Sequence, residues 1–375
     1  MNIEKKIKIL KKIKDSAGLH SPSTKEIIAG LGYNPIKHDF CFLSNPYATD
    51  IVVDYFKDYF SKKENIFNAL ESYPADQSYV GKNIATFEGL NSDYIVVGNG
   101  AVQAIEWVCE GWGLKNLLIP TPTYSTYYEL LNKKYTFTSD FWLSKNLTAD
   151  TLIKIANKNN CDSVLLINPN NPTAEAMSLT EIQRLVSLLG DKKLIIDESF
   201  SHFLENYSEY SNLRKKLIFK NVTFIKSMSK DCGVAGIRLG YLYTIDKNLL
   251  DYSKRKTTWN LNNFSVLFSD LLVTPFFNEK YNLARLNFFK ARSEFLASLK
   301  KISGIKVYTS QANFFLIKYN GKKTPNLVYE MLLNDGIYVR TMSDKVGLDN
   351  DYIRVAVRRN EENNFFVNSL KKYIS

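Results

Sequence analysis

Histidine is scarce in this chain: His20, His38 and His202 are the only three among 375 residues. That argues against an all-histidine metal centre, and no metal is expected. Cysteine is scarce too. Cys41, Cys109, Cys161 and Cys232 form no CxxC pair and no metal-ligand spacing. A disulfide framework is therefore not indicated, and a reduced, cytoplasmic setting is the expectation. No apolar run approaches the roughly 20 residues needed to span a bilayer. The N-terminal "MNIEKKIKILKKIK" lacks the apolar centre of a signal peptide. Low-complexity segments and internal repeats are missing as well, which leaves an ordinary globular chain.

What is present is a long chain with 45% hydrophobic residues, enough for a large core and two lobes. The formal net charge is +11, a balance that can attract nucleic acid. The Lys and Arg residues are mixed with Glu and Asp along the chain, however, and no nucleic-acid motif is found. A basic enzyme with anionic substrates fits the same charge. "IEKKIKILKKI" repeats apolar residues at helical spacing. It reads as a docked amphipathic helix, with membrane-surface contact as the alternative.

The middle of the chain alternates strand and helix patterns. "SVLLIN", residues 163–168, is a short branched apolar run, as expected of a buried parallel strand. After the turn "PNNPTAEA", the segment "MSLTEIQRLVSLLG" places Leu179, Ile182, Leu185, Val186 and Leu189 on one helical face. Ser178 and Glu181 have capping-box spacing, and Gly190 supplies a stop. "KKLIIDESF" and "NVTFIKS" read as further strands. Such βαβ alternation implies an α/β fold with a mostly parallel sheet covered on both faces. Ligands of such sheets bind beyond the carboxyl ends of the strands. Four ends should converge: "NPNNPT", "DES", "SMSK" and the Gly-rich turn of "DYIVVGNGAVQAIEWV". From about Leu283 a helix and then short strands follow, in "IKVYTSQANFFLIKY", "GIYVRTM" and "DYIRVAVRR". Three parts are expected: an N-terminal arm (1–50) packing with a small C-terminal domain (283–375), and a large domain (51–282) between them.

The stretch "SMSKDCGVAGIRLGY" carries the reactive candidate, Lys230. A lysine amine condenses with an aldehyde only when deprotonated, so burial or a nearby cation must lower its pKa. Arg238 is such a cation and could also hold a phosphate. Ser227 and Ser229 add short hydroxyl donors. Gly100, Ala101 and Val102 open a helix whose free N–H groups suit the same anion. An aromatic aldehyde carrying a phosphate satisfies all of these; a salt-bridged surface turn is the alternative for Lys230 alone. Asp197 ends an apolar strand, where an unpaired carboxylate is costly. A protonated pyridine nitrogen would pair with it and keep the ring an electron sink. Asn171 could hydrogen-bond the ring's phenolic oxygen, and Tyr124 in "PTPTYSTYY" could stack on the ring.

Together "NPNNPTA", "DESF" and "SMSKDCGVAGIRLGY" resemble the fold-type-I enzymes of the aminotransferase class I/II family, which use pyridoxal 5′-phosphate (PLP). The resemblance covers nearly the whole chain. It implies a large domain with a mostly parallel seven-stranded sheet and a smaller α+β C-terminal domain. It further implies that Lys230 forms the Schiff base with PLP, Asp197 pairs with the pyridine nitrogen, Asn171 contacts the ring oxygen and Tyr124 stacks. Gly100, Ala101, Val102, Ser227, Ser229 and Arg238 would hold the cofactor phosphate. "SYPAD" matches the segment whose tyrosine, here Tyr73, reaches the partner subunit's phosphate, so a homodimer is implied. Three positions depart from the family pattern: Ala174 stands for glycine, Lys226 for arginine and Phe200 for a tyrosine that donates to the ring oxygen.

The cofactor does not fix the reaction. The Cα bond held perpendicular to the ring breaks: C–H in transamination, C–carboxylate in decarboxylation. Residues binding the substrate's acidic groups make that choice, and Arg340, Arg354 and Arg358 are candidates. In "RVAVR" the alternation projects Arg354 and Arg358 from one face, about 13 Å apart at most. That suits a substrate with a carboxylate and a phosphate; a surface charge is the alternative for Arg358. The tail resembles L-threonine O-phosphate decarboxylases more than histidinol-phosphate aminotransferases. Phe200 and the His20 of "GLHSPST" share that likeness, which implies that His20, Arg340, Arg354 and Arg358 read the substrate's phosphate and carboxylate. The arm "CFLSNPYATD" is instead similar to PLP enzymes that make small phosphorylated amines for surface polysaccharide. The expected reaction is decarboxylation of an O-phospho-L-amino acid, O-phosphoserine to ethanolamine phosphate or the threonine analogue. The alternative is transfer of an amino group from glutamate to a small phosphorylated or phosphonylated carbonyl compound. DNA-bound regulators share this fold, but the first 40 residues are too few for a winged helix, so no nucleic-acid partner is expected.

Overall fold

The computed structural model describes residues 1–131, 133–138, 141–144 and 147–374. Its strands are β1 (His38–Asp39), β2 (Ile95–Asn99), β3 (Leu117–Ile119), β4 (Tyr135–Phe137), β5 (Ser163–Ile167), β6 (Lys193–Asp197), β7 (Val222–Ser227), β8 (Leu239–Tyr243), β9 (Lys306–Val307), β10 (Phe314–Lys318), β11 (Ile337–Tyr338), β12 (Arg340–Thr341) and β13 (Tyr352–Ala356). The main sheet has seven strands in the order β2-β8-β7-β6-β5-β3-β4. Only β8 runs antiparallel to its neighbours.

Both faces of this sheet are covered, which is why its strands are apolar without alternation. Val96, Leu165, Ile195 and Ile225 pack with Ala104, Ile105 and Val108 of the helix Ala101–Gly111. Ile95, Val97, Val164, Leu166, Leu194 and Ile196 face a second core with the helices Ala149–Lys158 and Leu179–Leu188. Ser178 caps the latter, accepting from Glu181 N at 3.2 Å. The expected reciprocal half of the box is not made. Glu181 instead turns its carboxylate to Ala149 N (2.7 Å), capping the neighbouring helix.

A smaller antiparallel sheet has the order β12-β13-β10-β9. The helix Pro275–Leu299 joins the two lobes. It starts upstream of the expected boundary at Leu283, and it serves both cores. Tyr281 and Ala284 pack in the large one, Phe288, Ala291 and Phe295 in the small one. Phe40 and Leu43 of the arm enter that same small core. β1 pairs with β11 in parallel, and Phe40 O then accepts from Ala356 N at 2.9 Å. The N-terminal helix Ile3–Ser16 docks through Ile7 and Leu10, with Leu10 packed among Ile27, Leu31, Leu332 and Tyr338. Among the described residues, no helix is long and apolar enough to cross a membrane.

Candidate active site

Five strand ends of the main sheet meet at one cavity of about 260 Å³. β2, β5, β6 and β7 deliver Ala101, Asn171, Asp197 and Lys230, as the sequence led us to expect. β3 adds a fifth, leading into Tyr124.

Lys230 faces this cavity. Burial, reinforced by Arg354 and Arg238, brings its amine down to about 8. A sizeable fraction is thus neutral and nucleophilic near neutral pH. Asp197 is buried and accepts from Tyr127 Oη and Ser199 N, both at 3.0 Å. Burial still pushes its carboxyl up against these donors, so the site calls for a cation.

An anion cradle lies beside Lys230. The helix Ala101–Gly111 begins there with no described side chain capping it, leaving its first N–H groups free. Gly100 holds a φ of 76°, and a Cβ there would stand 2.5 Å from Arg238 Nη2. Gly240 on β8 passes so close that a Cβ would lie 2.6 Å from Ala101 N. Ser229 Oγ is buried without a hydrogen-bond partner among the described residues, and Ser227 Oγ accepts from Ser229 N at 3.2 Å. Free amides, an orphaned hydroxyl, an arginine, a depressed lysine and a carboxylate in need of a cation all fit PLP. Tyr124 and Asn171 line the same space. Asn171 Oδ1 is engaged by Arg354 Nη1 at 2.8 Å, which leaves the amide N–H groups for a ring oxygen.

The three departures are accommodated. Ala174 adopts a left-handed φ of 62°, the backbone that glycine takes most easily. Lys226 ion-pairs with Glu88 at 2.6 Å under the sheet. Phe200 lines the cavity and packs edge-on against Phe314 (5.3 Å between centroids). Tyr73 is 77% exposed and lies against Trp259, away from this chain's cavity.

The opposite wall comes from the arm and the small lobe. Arg340 and Arg354 are direct cross-strand partners on β12 and β13, a juxtaposition of like charges that is unfavourable without an anion. Burial, with Arg340 alongside, brings the Arg354 guanidinium down to about 10. Arg354 Nη2 donates to Cys41 O at 2.9 Å. Arg340 Nη2 donates to Asp344 Oδ2 (2.5 Å) and Leu19 O (3.0 Å). The atoms Arg340 Nη1 and Arg354 Nε are buried without hydrogen-bond partners among the described residues. His20 sits at the mouth, 3.0 Å from Glu129 Oε2.

Arg358 is not brought to the cavity. β13 ends at Ala356, and Arg358 turns to Glu362 (3.5 Å). The alternation of "RVAVR" therefore misplaced it: the arginine paired with Arg354 is Arg340, across the ladder. Sequence reasoning also missed Lys345, which lines the cavity from a turn after β12. "SDKV" offers no periodicity or motif to single it out.

Residues 60–370 match the family model described as aminotransferase class I and II. The chain belongs to this family, and its cofactor is PLP. It is 36% identical to an L-serine phosphate decarboxylase of Campylobacter jejuni, covering 98% of this chain and 96% of that protein. A histidinol-phosphate aminotransferase of Thermoanaerobacter pseudethanolicus is 30% identical over 78% of this chain and 81% of its own. The solved structure of a decarboxylase from Sulfurospirillum multivorans superposes with a TM-score of 0.88 at 31% identity, covering 100% of this chain and 99% of the other.

Proposed function

We propose that this enzyme removes carbon dioxide from O-phospho-L-serine and releases ethanolamine phosphate. The observation that carries the reading is a cavity with a cofactor wall on one side and an excess of buried cations on the other. Arg354, tied to Asn171 beside the ring site, takes the group on Cα, the carboxylate. Arg340 and His20 take the phosphate. The 36% identity to an L-serine phosphate decarboxylase over nearly the full length supports the same choice.

PLP, when bound, supplies the sink for the electrons left behind as the carboxylate departs. The protein's own residues do the rest. Asp197 keeps the ring nitrogen site anionic, and Asn171 orients the ring edge. Lys230, the residue that would hold the cofactor, would also hand a proton to Cα once carbon dioxide has gone. Phe200 walls the cavity without offering a hydroxyl.

The reading includes a homodimer in which Tyr73 reaches the partner's cofactor phosphate. Its support is the exposure of Tyr73 beside Trp259 and of the nearby apolar Val53 and Phe264. A cytoplasmic setting is proposed on the four free cysteines. The reading also includes the three-part division at residues 50 and 282, with the helix Pro275–Leu299 packing into both lobes.

Holoenzyme given O-phospho-L-serine and no acceptor should release carbon dioxide and ethanolamine phosphate over many turnovers. Should turnover require a keto acid while the cofactor accumulates as its pyridoxamine form, the enzyme is an aminotransferase and the proposal fails.

A further inference from the structure

Lys345 stands beside Arg340 on the cavity wall and is 8% exposed. Its Nζ donates to Leu19 O at 2.7 Å and to Ser125 Oγ at 3.0 Å. Both acceptors are neutral, so they fix the position of the ammonium without cancelling its charge. An ammonium has three N–H donors, and the third is left for the cavity.

Charge in this wall is unbalanced. Arg340 and Lys345 are buried and Arg354 is half-buried, and the nearest carboxylate, Asp344, is shared with Lys14 at 2.9 Å. Arg340 Nη1 has no hydrogen-bond partner among the described residues. Buried cations in excess are costly until an anion joins them. One carboxylate would be met by Arg354. The surplus calls for a second anion with several acceptor oxygens.

We infer that Lys345 is a specificity residue of this enzyme, binding the substrate's phosphate jointly with Arg340. The inference rests on the reading that the substrate is phosphorylated, but not on the bond that breaks. The state of the lysine agrees. Burial brings its amine down to about 8, with Arg340 and Arg354 acting in the same direction and Asp344 and Glu129 opposing. That is the signature of a cation held without its counter-ion.

The test compares wild-type holoenzyme with Lys345→Ala and Lys345→Arg. The dissociation constant for inorganic phosphate is measured by calorimetry, with the cofactor in place so that its own phosphate site is filled. Lys345→Ala should weaken phosphate binding and raise KM for O-phospho-L-serine by roughly 10–100-fold, with kcat within a few-fold. Binding of L-serine, read from the cofactor's visible band, should be unchanged. Lys345→Arg should restore most of the loss. Phosphate affinity of the wild type should fall above about pH 8, where phosphate stays a dianion and the lysine discharges; Lys345→Arg should flatten that fall. Unchanged phosphate affinity in Lys345→Ala would overturn the inference and reduce Lys345 to a tether for the arm. Should O-phospho-L-serine prove inert while phosphate binding still depends on Lys345, the inference stands and only the proposed reaction falls.

Discussion

Two clusters of buried charge lie on either side of Lys230, and they differ in one respect. Beneath the sheet, Glu88, Glu198 and Asp231 meet Arg214, Lys226 and His202. Arg214 contacts Glu198 at 2.5 Å and Glu88 at 3.1 Å, Lys226 contacts Glu88 at 2.6 Å, and His202 contacts Asp231 at 3.0 Å. Tyr210 and Tyr281 add hydroxyl donors. Burial alone would raise the Glu88 carboxyl, but Lys226, His202 and Arg214 hold it well below the usual carboxylate range. Above the sheet, Arg340, Lys345 and Arg354 have one carboxylate within ion-pair reach among the described residues, the half-buried Asp344. In the first cluster every charged side chain has an opposite charge in contact, even though Arg214 Nε and Asp231 Oδ1 lack hydrogen-bond partners among the described residues, and it acts as framework. The second is incomplete, and what completes it is an anion from outside. Burial of charge alone does not mark a functional site; burial of unmatched charge does.

The boundary between the clusters should be the most sensitive point. Lys230→Ala should abolish the borohydride-reducible cofactor band and lower turnover by roughly 10⁴-fold, since it removes both the covalent hold and the proton donor. Absorbance and turnover of the purified variant check this. The next largest effect should fall on stability. Arg214→Ala strands Glu88 and Glu198 in the interior and should cost about 3–5 kcal/mol in denaturant unfolding. Arg340→Ala should behave oppositely. KM for the phosphorylated substrate should rise roughly 10–100-fold, while unfolding shifts by less than about 1 kcal/mol because a like-charge pair is relieved. Equal destabilisation by the two arginine variants would erase the distinction between the clusters. Phe200→Tyr should have the smallest effect. KM should hold, and the share of cofactor converted to the pyridoxamine form during turnover should rise a few-fold as a donor returns to the ring's edge.

The same contrast governs what the sequence revealed. The cofactor side was legible because each group answers to a fixed strand end. Asp197 closes β6, Ser227 closes β7, and Gly100 opens a helix straight after β2. Parallel topology brings such ends together, so local patterns were enough. The substrate wall was only partly legible. Arg354 was found, but its partner was assigned along the strand to Arg358, whereas the ladder supplies Arg340 from β12. Cross-strand register is not written in either strand alone. Lys345 left no trace because a long side chain in an irregular turn reaches the cavity only through tertiary placement. Glu181 shows the same limit at smaller scale: its spacing announced a capping box, but its carboxylate caps the neighbouring helix.

The comparison of kcat/KM for O-phospho-L-serine and L-serine, with carbon dioxide as the product measured and no keto acid present, tests the central claim most directly. Arg340 and Lys345, each contributing a charge-assisted hydrogen bond to the phosphate, should favour the phosphorylated substrate by about 10³-fold. Equal values for the two substrates would mean that the unmatched cations above the sheet do not read a phosphate, and would contradict the account.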